Sequence, residues 1–145
     1  MKAYQHILLT TDFSKFSETV AKKAINLAGH FNAEITVLHV VEQGAESRVG
    51  DRLTPKAADS DQQLIVQDRH RLDEFIRSVP NFRAIPMIRL SAVSVEDEII
   101  KVAKEIKANL IIIGTPAKAR IAVMPSLRME AFKGKAPCDV LVVSD

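Results

Sequence analysis

The sequence lacks several features on which common classes of protein depend. It has a single cysteine, Cys138, so no disulfide can form within the chain, and no charged segment followed by an apolar one opens it. We therefore expect a cytoplasmic protein. No apolar run approaches the roughly 20 residues that cross a bilayer, so we expect no membrane association. The 20 basic and 18 acidic residues are spread along the chain, which indicates no nucleic-acid partner.

The motifs of several enzyme classes are also missing. Residues 11–16 contain no glycine, whereas a dinucleotide-dependent oxidoreductase needs Gly-x-Gly-x-x-Gly after its first strand. A phosphoacceptor receiver domain needs an aspartate after the third strand, where Arg89-Leu90-Ser91 offers none. The four histidines show no metal-ligand spacing, and no catalytic triad is evident. We expect no catalytic residue and no metal site, with the histidines and a small buried Cys138 serving packing.

The spacing of apolar residues predicts five strands that alternate with four helices. The chain length fits one domain, residues 1–145. The predicted strands are residues 6–11, 34–41, 83–90, 110–113 and 139–144. The first predicted helix carries its apolar stripe from residue 16, with Ser14 or Ser17 as its cap and Gly29 or Asn32 at its end. The others are residues 61–79, 94–106 and 126–132, the last ended by Gly134. Residues 42–60 show no periodicity, which predicts a long loop.

Alternating strands and helices predict a parallel sheet with helices on both faces, which is an open α/β fold. Pro86 removes a backbone donor from the third strand, so we expect that strand at the edge of the sheet. An edge position favours the strand order 3-2-1-4-5. Ligands of such sheets bind beyond the carboxyl ends of the strands, where the order reverses. This predicts a ligand crevice between strands 1 and 4, with Asp12 and Gly114 facing each other across it.

Over nearly all of its length the sequence resembles the universal stress protein family. The resemblance rests on Ile7-Leu8-Leu9-Thr10-Thr11-Asp12-Phe13-Ser14, Val37-Leu38-His39-Val40, Leu110-Ile111-Ile112-Ile113-Gly114 and Ala136-Pro137-Cys138-Asp139-Val140-Leu141-Val142-Val143. It implies a Rossmann-like domain of the adenine nucleotide alpha hydrolase type, used in the cytoplasm under stress. It also implies a homodimer paired through the last strand, Val140 to Val143. One branch of the family binds ATP and another does not.

The ATP-binding branch implies a set of candidate site residues. In that branch an aspartate after strand 1 contacts the ribose, and Asp12, next to Thr11, matches it. The backbone after strand 2 contacts adenine, and Val40 matches that position. Its phosphate loop after strand 4 has the form Gly-x2-Gly-x9-Gly-Ser/Thr, which this chain matches only in part. Gly114 is present, Ala117 stands at the second glycine, and Ser126-Leu127 stands near the third glycine and its hydroxyl neighbour, one residue short.

The missing glycines weaken the phosphate loop on physical grounds. Glycine lets backbone N–H groups approach phosphate oxygens, and alanine disfavours a positive φ by roughly 1 kcal/mol or more. Lys118, Arg120 and Arg128 can compensate through their charges, and Ser126 begins a helix whose N–H groups can face an anion. Two functions therefore stay open. One is a stress-response regulator that binds ATP, with Mg²⁺ if required, and hydrolyses it slowly at most; the alternative is a dimeric interaction protein without nucleotide.

Overall fold

A computed structural model describes residues 4–42, 57–91, 94–115 and 126–144. Within these ranges, five strands alternate with four helices. The elements are β1 (His6–Thr10), α1 (Lys15–Phe31), β2 (Glu34–Glu42), α2 (Ala57–Ser78), β3 (Ile85–Ser91), α3 (Val95–Glu105), β4 (Leu110–Thr115), α4 (Ser126–Lys135) and β5 (Asp139–Ser144). All neighbouring strands are parallel, in the order β3-β2-β1-β4-β5. The predicted fold class is confirmed, with Pro86 in the edge strand β3.

The two central strands are buried on both faces because helices cover each side of the sheet. Ile7 of β1 and Ile112 of β4 belong to a cluster with side chains of α1 and α2. Leu8 and Ile111 point the other way, into a cluster with side chains of α3 and α4. All four side chains are fully buried, and each contributes about 1.5–3 kcal/mol of hydrophobic stabilisation. The continuous apolar runs of β1 and β4 are therefore explained by a two-sided core.

Local hydrogen bonds and backbone angles fix the ends of two helices where the sequence predicts them. Asn32 follows α1 in the left-handed conformation, with φ 54° and ψ 46°, and donates its N–H to the carbonyl of Ala28. At the start of α3, the hydroxyl of Ser94 accepts a hydrogen bond from the N–H of Asp97 at 3.1 Å. Ser14 occupies the N-cap position of α1, although its side chain makes no capping bond.

Some predicted boundaries are wrong. The second helix begins at Ala57 instead of Asp61, so the loop predicted for residues 42–60 is too long, and residues 43–56 lie outside the described residues. The fourth helix continues through Gly134 to Lys135. Glycine permits a helix to end without forcing it to, since its backbone can also adopt helical angles.

Cys138 is half-exposed, contrary to the expectation of a buried side chain. It precedes β5, an edge strand, so fewer neighbours cover it than would cover a residue next to a central strand. Burial and the charge of Asp139 still raise the pKa of its thiol. In the part of the chain that the structure describes, no helix is long and apolar enough to cross a membrane.

Candidate functional site

The sequence predicts the ligand crevice at the carboxyl ends of β1 and β4. These strands pair in parallel with Leu9 opposite Ile112, so two residues further along each strand the register reaches Thr11 and Gly114. Thr11 is still held to the sheet, because its N–H donates to the carbonyl of Leu38 at 3.0 Å, and it is buried. The chain leaves the sheet at Asp12, which is exposed. The register therefore brings Asp12 and Gly114 to the same edge of the sheet.

The carboxylate of Asp12 is held by groups at the start of α1. Its Oδ1 atom accepts hydrogen bonds from the N–H of Ser14 and the hydroxyl of Ser17, both at 3.0 Å. Burial alone raises the pKa of Asp12, but the hydrogen bonds from Ser14 and Ser17 outweigh it and leave the pKa below its ordinary value. Both of these hydrogen bonds fall on Oδ1 and neither on Oδ2. Asp12 therefore presents an ionised carboxylate at this edge of the sheet.

The turn that carries Asp12 has an unusual backbone. Phe13 adopts a φ of 64°, in the left-handed region that bulky side chains rarely occupy. Its N–H donates to the hydroxyl oxygen of Thr11 at 3.1 Å, which closes the turn around Asp12. Strained backbone of this kind persists only where surrounding contacts fix it. Residues 11–13, called the Thr11–Phe13 turn below, are therefore positioned by neighbours and not by local preference.

Gly114 serves a purpose other than the sharp turn that the sequence indicates. Strand β4 continues through it to Thr115, and its φ lies outside the left-handed region. A Cβ atom at this position would lie 2.6 Å from Cγ2 of Val20 and 3.3 Å from Cε2 of Phe16. The glycine is thus required because α1 packs directly onto the strand.

The remaining predicted site residues are only partly described. The side chain of Val40 is half-buried and packs on the α3 face of the sheet, so only its backbone is free to serve a ligand. Ala117, Lys118 and Arg120 lie outside the described residues. Ser126 and Leu127 begin α4, and their side chains also lie outside the described part. The phosphate-binding role of this loop stays a prediction. Where the structure describes the chain, no three metal-ligating side chains cluster.

A polar cluster that the sequence reasoning missed lies beside the Thr11–Phe13 turn. His39 of β2 places Nδ1 at 2.9 Å from the carbonyl oxygen of Thr11 and Nε2 at 2.9 Å from Oδ2 of Asp68 in α2. Its ring also contacts Phe13, with 4.3 Å between ring centroids. A signal for the cluster existed in the sequence: Asp68 falls on the inward stripe of α2, four residues from Leu64 and from Leu72. A carboxylate on such a stripe requires a buried partner.

Comparison with known proteins agrees with this architecture. The model of the Universal stress protein family matches residues 3–144. Universal stress protein A homolog 1 of Coxiella burnetii is 29% identical over 142 residues, which cover 97% of this chain and 96% of that protein. The universal stress protein from Archaeoglobus fulgidus, solved in complex with dAMP, is 19% identical with a TM-score of 0.66, covering 97% of this chain and 98% of that one. A universal stress protein solved in complex with cAMP is 21% identical with a TM-score of 0.64, covering 97% of each chain.

Proposed function

Because the chain belongs to the universal stress protein family, we propose that it is a cytoplasmic stress-response regulator that binds ATP or a related adenine nucleotide. The proposed site is the crevice at the carboxyl ends of β1 and β4. Solved structures of the same fold hold dAMP in one case and cAMP in another, which supports adenine nucleotides as the ligand class.

The arrangement of Asp12 is the observation that carries this proposal. Oδ1 accepts the hydrogen bonds from Ser14 and Ser17 that hold the turn, and neither of these bonds uses Oδ2. The carboxylate is ionised at neutral pH because its pKa lies below the ordinary value. An ionised acceptor at the edge of the crevice suits a ribose hydroxyl, since hydrogen bonds to charged groups are the stronger ones. In the proposed complex the ribose hydroxyl donates to Oδ2 of Asp12.

The base and the phosphates would lie on either side of this contact. Adenine would meet the backbone at Val40, near the end of β2, as the resemblance to the ATP-binding branch of the family implies. The phosphates would meet Gly114, Ala117, Lys118, Arg120 and the start of α4 at Ser126 and Leu127, with Mg²⁺ neutralising part of their charge. We propose slow hydrolysis at most, because the sequence offers no arrangement of a catalytic base.

We also propose that two copies pair through β5. This strand lies at the edge of the sheet, and no strand in the described part of the chain pairs with its outer side. Val140, Leu141 and Val142 are each half-buried, so apolar surface accompanies the unpaired backbone. Such an edge invites pairing with another chain. A second copy of β5 would satisfy both the backbone groups and the apolar side chains.

Calorimetric titration with Mg²⁺–ATP tests the nucleotide proposal. We expect saturable binding by the wild-type protein and a loss of about 10-fold to 100-fold in affinity for Asp12→Ala, the range for a hydrogen bond to a charged group. Asp12→Asn keeps Oδ1 as the acceptor for Ser14 and Ser17 but replaces Oδ2 with an amide nitrogen that cannot accept from the ribose hydroxyl, so we expect a loss close to that of Asp12→Ala while the turn stays intact. Asp73→Asn is the matched control, because Asp73 is a solvent-accessible carboxylate of α2 paired with Arg69.

The titration also decides between the two functions that the sequence left open. Binding that is equal in the wild type and in Asp12→Ala would contradict the proposed site. No binding at millimolar ATP, by any of these proteins, would contradict the nucleotide function itself. The dimeric interaction protein without nucleotide would then be favoured, and Ala117 in place of glycine would be its physical explanation.

A further inference from the structure

We propose that Asp68 and His39 form a proton-dependent positioning pair that holds the Thr11–Phe13 turn, so that nucleotide affinity at the crevice falls as pH rises. In this proposal Asp68 acts through His39, to which it is hydrogen-bonded. The inference rests on the proposed function for its effect on nucleotide. The geometry of the pair itself does not depend on any ligand.

The ring of His39 lies between two hydrogen-bond acceptors. Nδ1 lies 2.9 Å from the carbonyl oxygen of Thr11, and a carbonyl can only accept, so Nδ1 must carry a hydrogen. Nε2 lies 2.9 Å from Oδ2 of Asp68. The side chains of His39 and Asp68 are only 15% and 11% exposed, which leaves water little access to replace a broken bond.

Counting the protons shows what the pair requires. A neutral imidazole carries one N–H, whereas both ring nitrogens of an imidazolium carry one. If Asp68 is a carboxylate, the two bonds together need the imidazolium form. If His39 is neutral, Asp68 must instead be a carboxylic acid that donates to Nε2. In either form the pair holds two hydrogens, one more than a neutral imidazole beside a carboxylate, and removal of that extra proton leaves one of the two bonds unmade.

When only one N–H remains on the ring, the Asp68 carboxylate competes with the Thr11 carbonyl for it, and a charged acceptor forms the stronger bond. The bond at risk is therefore the one to Thr11, the residue before Asp12. Phe13, the residue after Asp12, contacts the His39 ring, with 4.3 Å between centroids, and the guanidinium carbon of Arg71 lies 4.4 Å from its ring centroid. These contacts hold a backbone with φ of 64° that phenylalanine does not favour. Loss of the proton therefore loosens the residues that position the Asp12 carboxylate.

The charged groups around His39 come mainly from α2. Arg71 approaches Oδ1 of Asp68 at 3.4 Å, on the oxygen that His39 does not use. Asp12 directs its carboxylate toward Ser14 and Ser17 at the start of α1. In β3 the register partner of His39 is the apolar Ile88. The charged side chains of the adjoining part of α1 are exposed: Lys15, Glu18, Lys22 and Lys23. Among the described residues, Asp68 is thus the titratable partner of the His39 ring.

Two substitutions of Asp68 separate the proton requirement from simple packing. In Asp68→Asn the amide can donate to a neutral Nε2 while Nδ1–H still donates to Thr11, so both bonds form without the extra proton. Asp68→Leu offers neither donor nor acceptor, so the Nε2 bond is lost at every pH. Asp73→Asn removes one negative charge from the same helix and controls for the general attraction of an anionic ligand.

The first measurement is the affinity for Mg²⁺–ATP at pH values between about 5.5 and 8.5, where histidine side chains ordinarily titrate. The titration of ATP itself cancels in the ratio of wild-type to variant dissociation constants. We expect the ratio of wild type to Asp68→Asn to rise about threefold to tenfold across this range, the effect of one hydrogen bond. We expect the ratio of the wild-type dissociation constant to that of Asp73→Asn to stay constant across the same pH range. A constant ratio for Asp68→Asn would overturn the proposal.

The second measurement needs no nucleotide. Amide hydrogen exchange of Thr11 and Phe13, corrected for the intrinsic effect of pH, reports the stability of the turn. We expect protection of the wild-type turn to fall with rising pH and that of Asp68→Asn to change little. If no protein binds nucleotide but exchange shows this difference, the pair is confirmed and the proposed function fails. If nucleotide binds and exchange shows no difference, the proposed function stands and the pair is refuted.

Discussion

Replacing Gly114 with alanine asks whether this glycine serves helix packing, as its surroundings indicate. The new Cβ would lie 2.6 Å from Cγ2 of Val20, a distance that side-chain carbons do not adopt. Val20 is buried and lies within α1, where a β-branched side chain has one strongly preferred rotamer, so it cannot turn away cheaply. Phe16, at 3.3 Å, needs to move only slightly.

The expected loss follows from two opposing terms. Overpacking a filled interior costs about 1–3 kcal/mol. Alanine also restricts the unfolded chain more than glycine does, which raises the free energy of unfolding by about 0.4–1 kcal/mol where the native backbone angles suit alanine. We therefore expect Gly114→Ala to lower the free energy of unfolding by about 1–2 kcal/mol. Urea denaturation followed by circular dichroism, at fixed protein concentration, measures this difference.

A double mutant tests the cause. Val20→Ala removes Cγ2 together with the other methyl group, at a cost of about 2 kcal/mol or more. In Gly114→Ala with Val20→Ala the new methyl group occupies space that Val20 has left, so we expect the combined loss to stay near that of Val20→Ala alone. Losses that add fully, or an alanine at 114 that leaves stability unchanged, would refute the packing explanation.

Two further predictions concern the start of the chain and the sheet edge. Tyr4 is the single tyrosine and no tryptophan is present, so absorbance near 295 nm reports its ionisation alone. Its hydroxyl donates to Asp139 at 2.9 Å, and this bond, with burial, raises the pKa of Tyr4 above the ordinary value. The bond stabilises the folded state fully below the ordinary pKa of tyrosine, and this stabilisation is lost as pH rises through the raised pKa. Asp139→Asn should lower the pH at which half of Tyr4 is ionised. An unchanged half-ionisation pH would contradict this cause. Sedimentation equilibrium should give twice the chain mass at micromolar concentration, whereas a monomer would contradict pairing through β5.

Much of the fold could be read from the sequence because its signals are local. Apolar residues at strand and helix spacing indicate every element, and Pro86 in the third strand leads to the observed strand order. The errors fall at element ends, such as the start of α2 at Ala57 and the continuation of α4 past Gly134. Propensity near an end is weak compared with the packing that a few more helical residues gain.

The sequence by itself therefore determined the sheet, its order and the residues that leave β1 and β4 at the crevice. The tertiary structure alone decided what holds those residues. His39 and Asp68 stand 29 positions apart, and only the seating of α2 against β2 brings their side chains to 2.9 Å. Likewise, position 114 requires glycine because a methyl group of Val20, on another element, lies where a Cβ atom would come too close. The spacing of apolar residues indicates which side of an element faces inward. Contacts between elements depend also on the position of each element along its neighbour, and no local pattern in the sequence indicates that position.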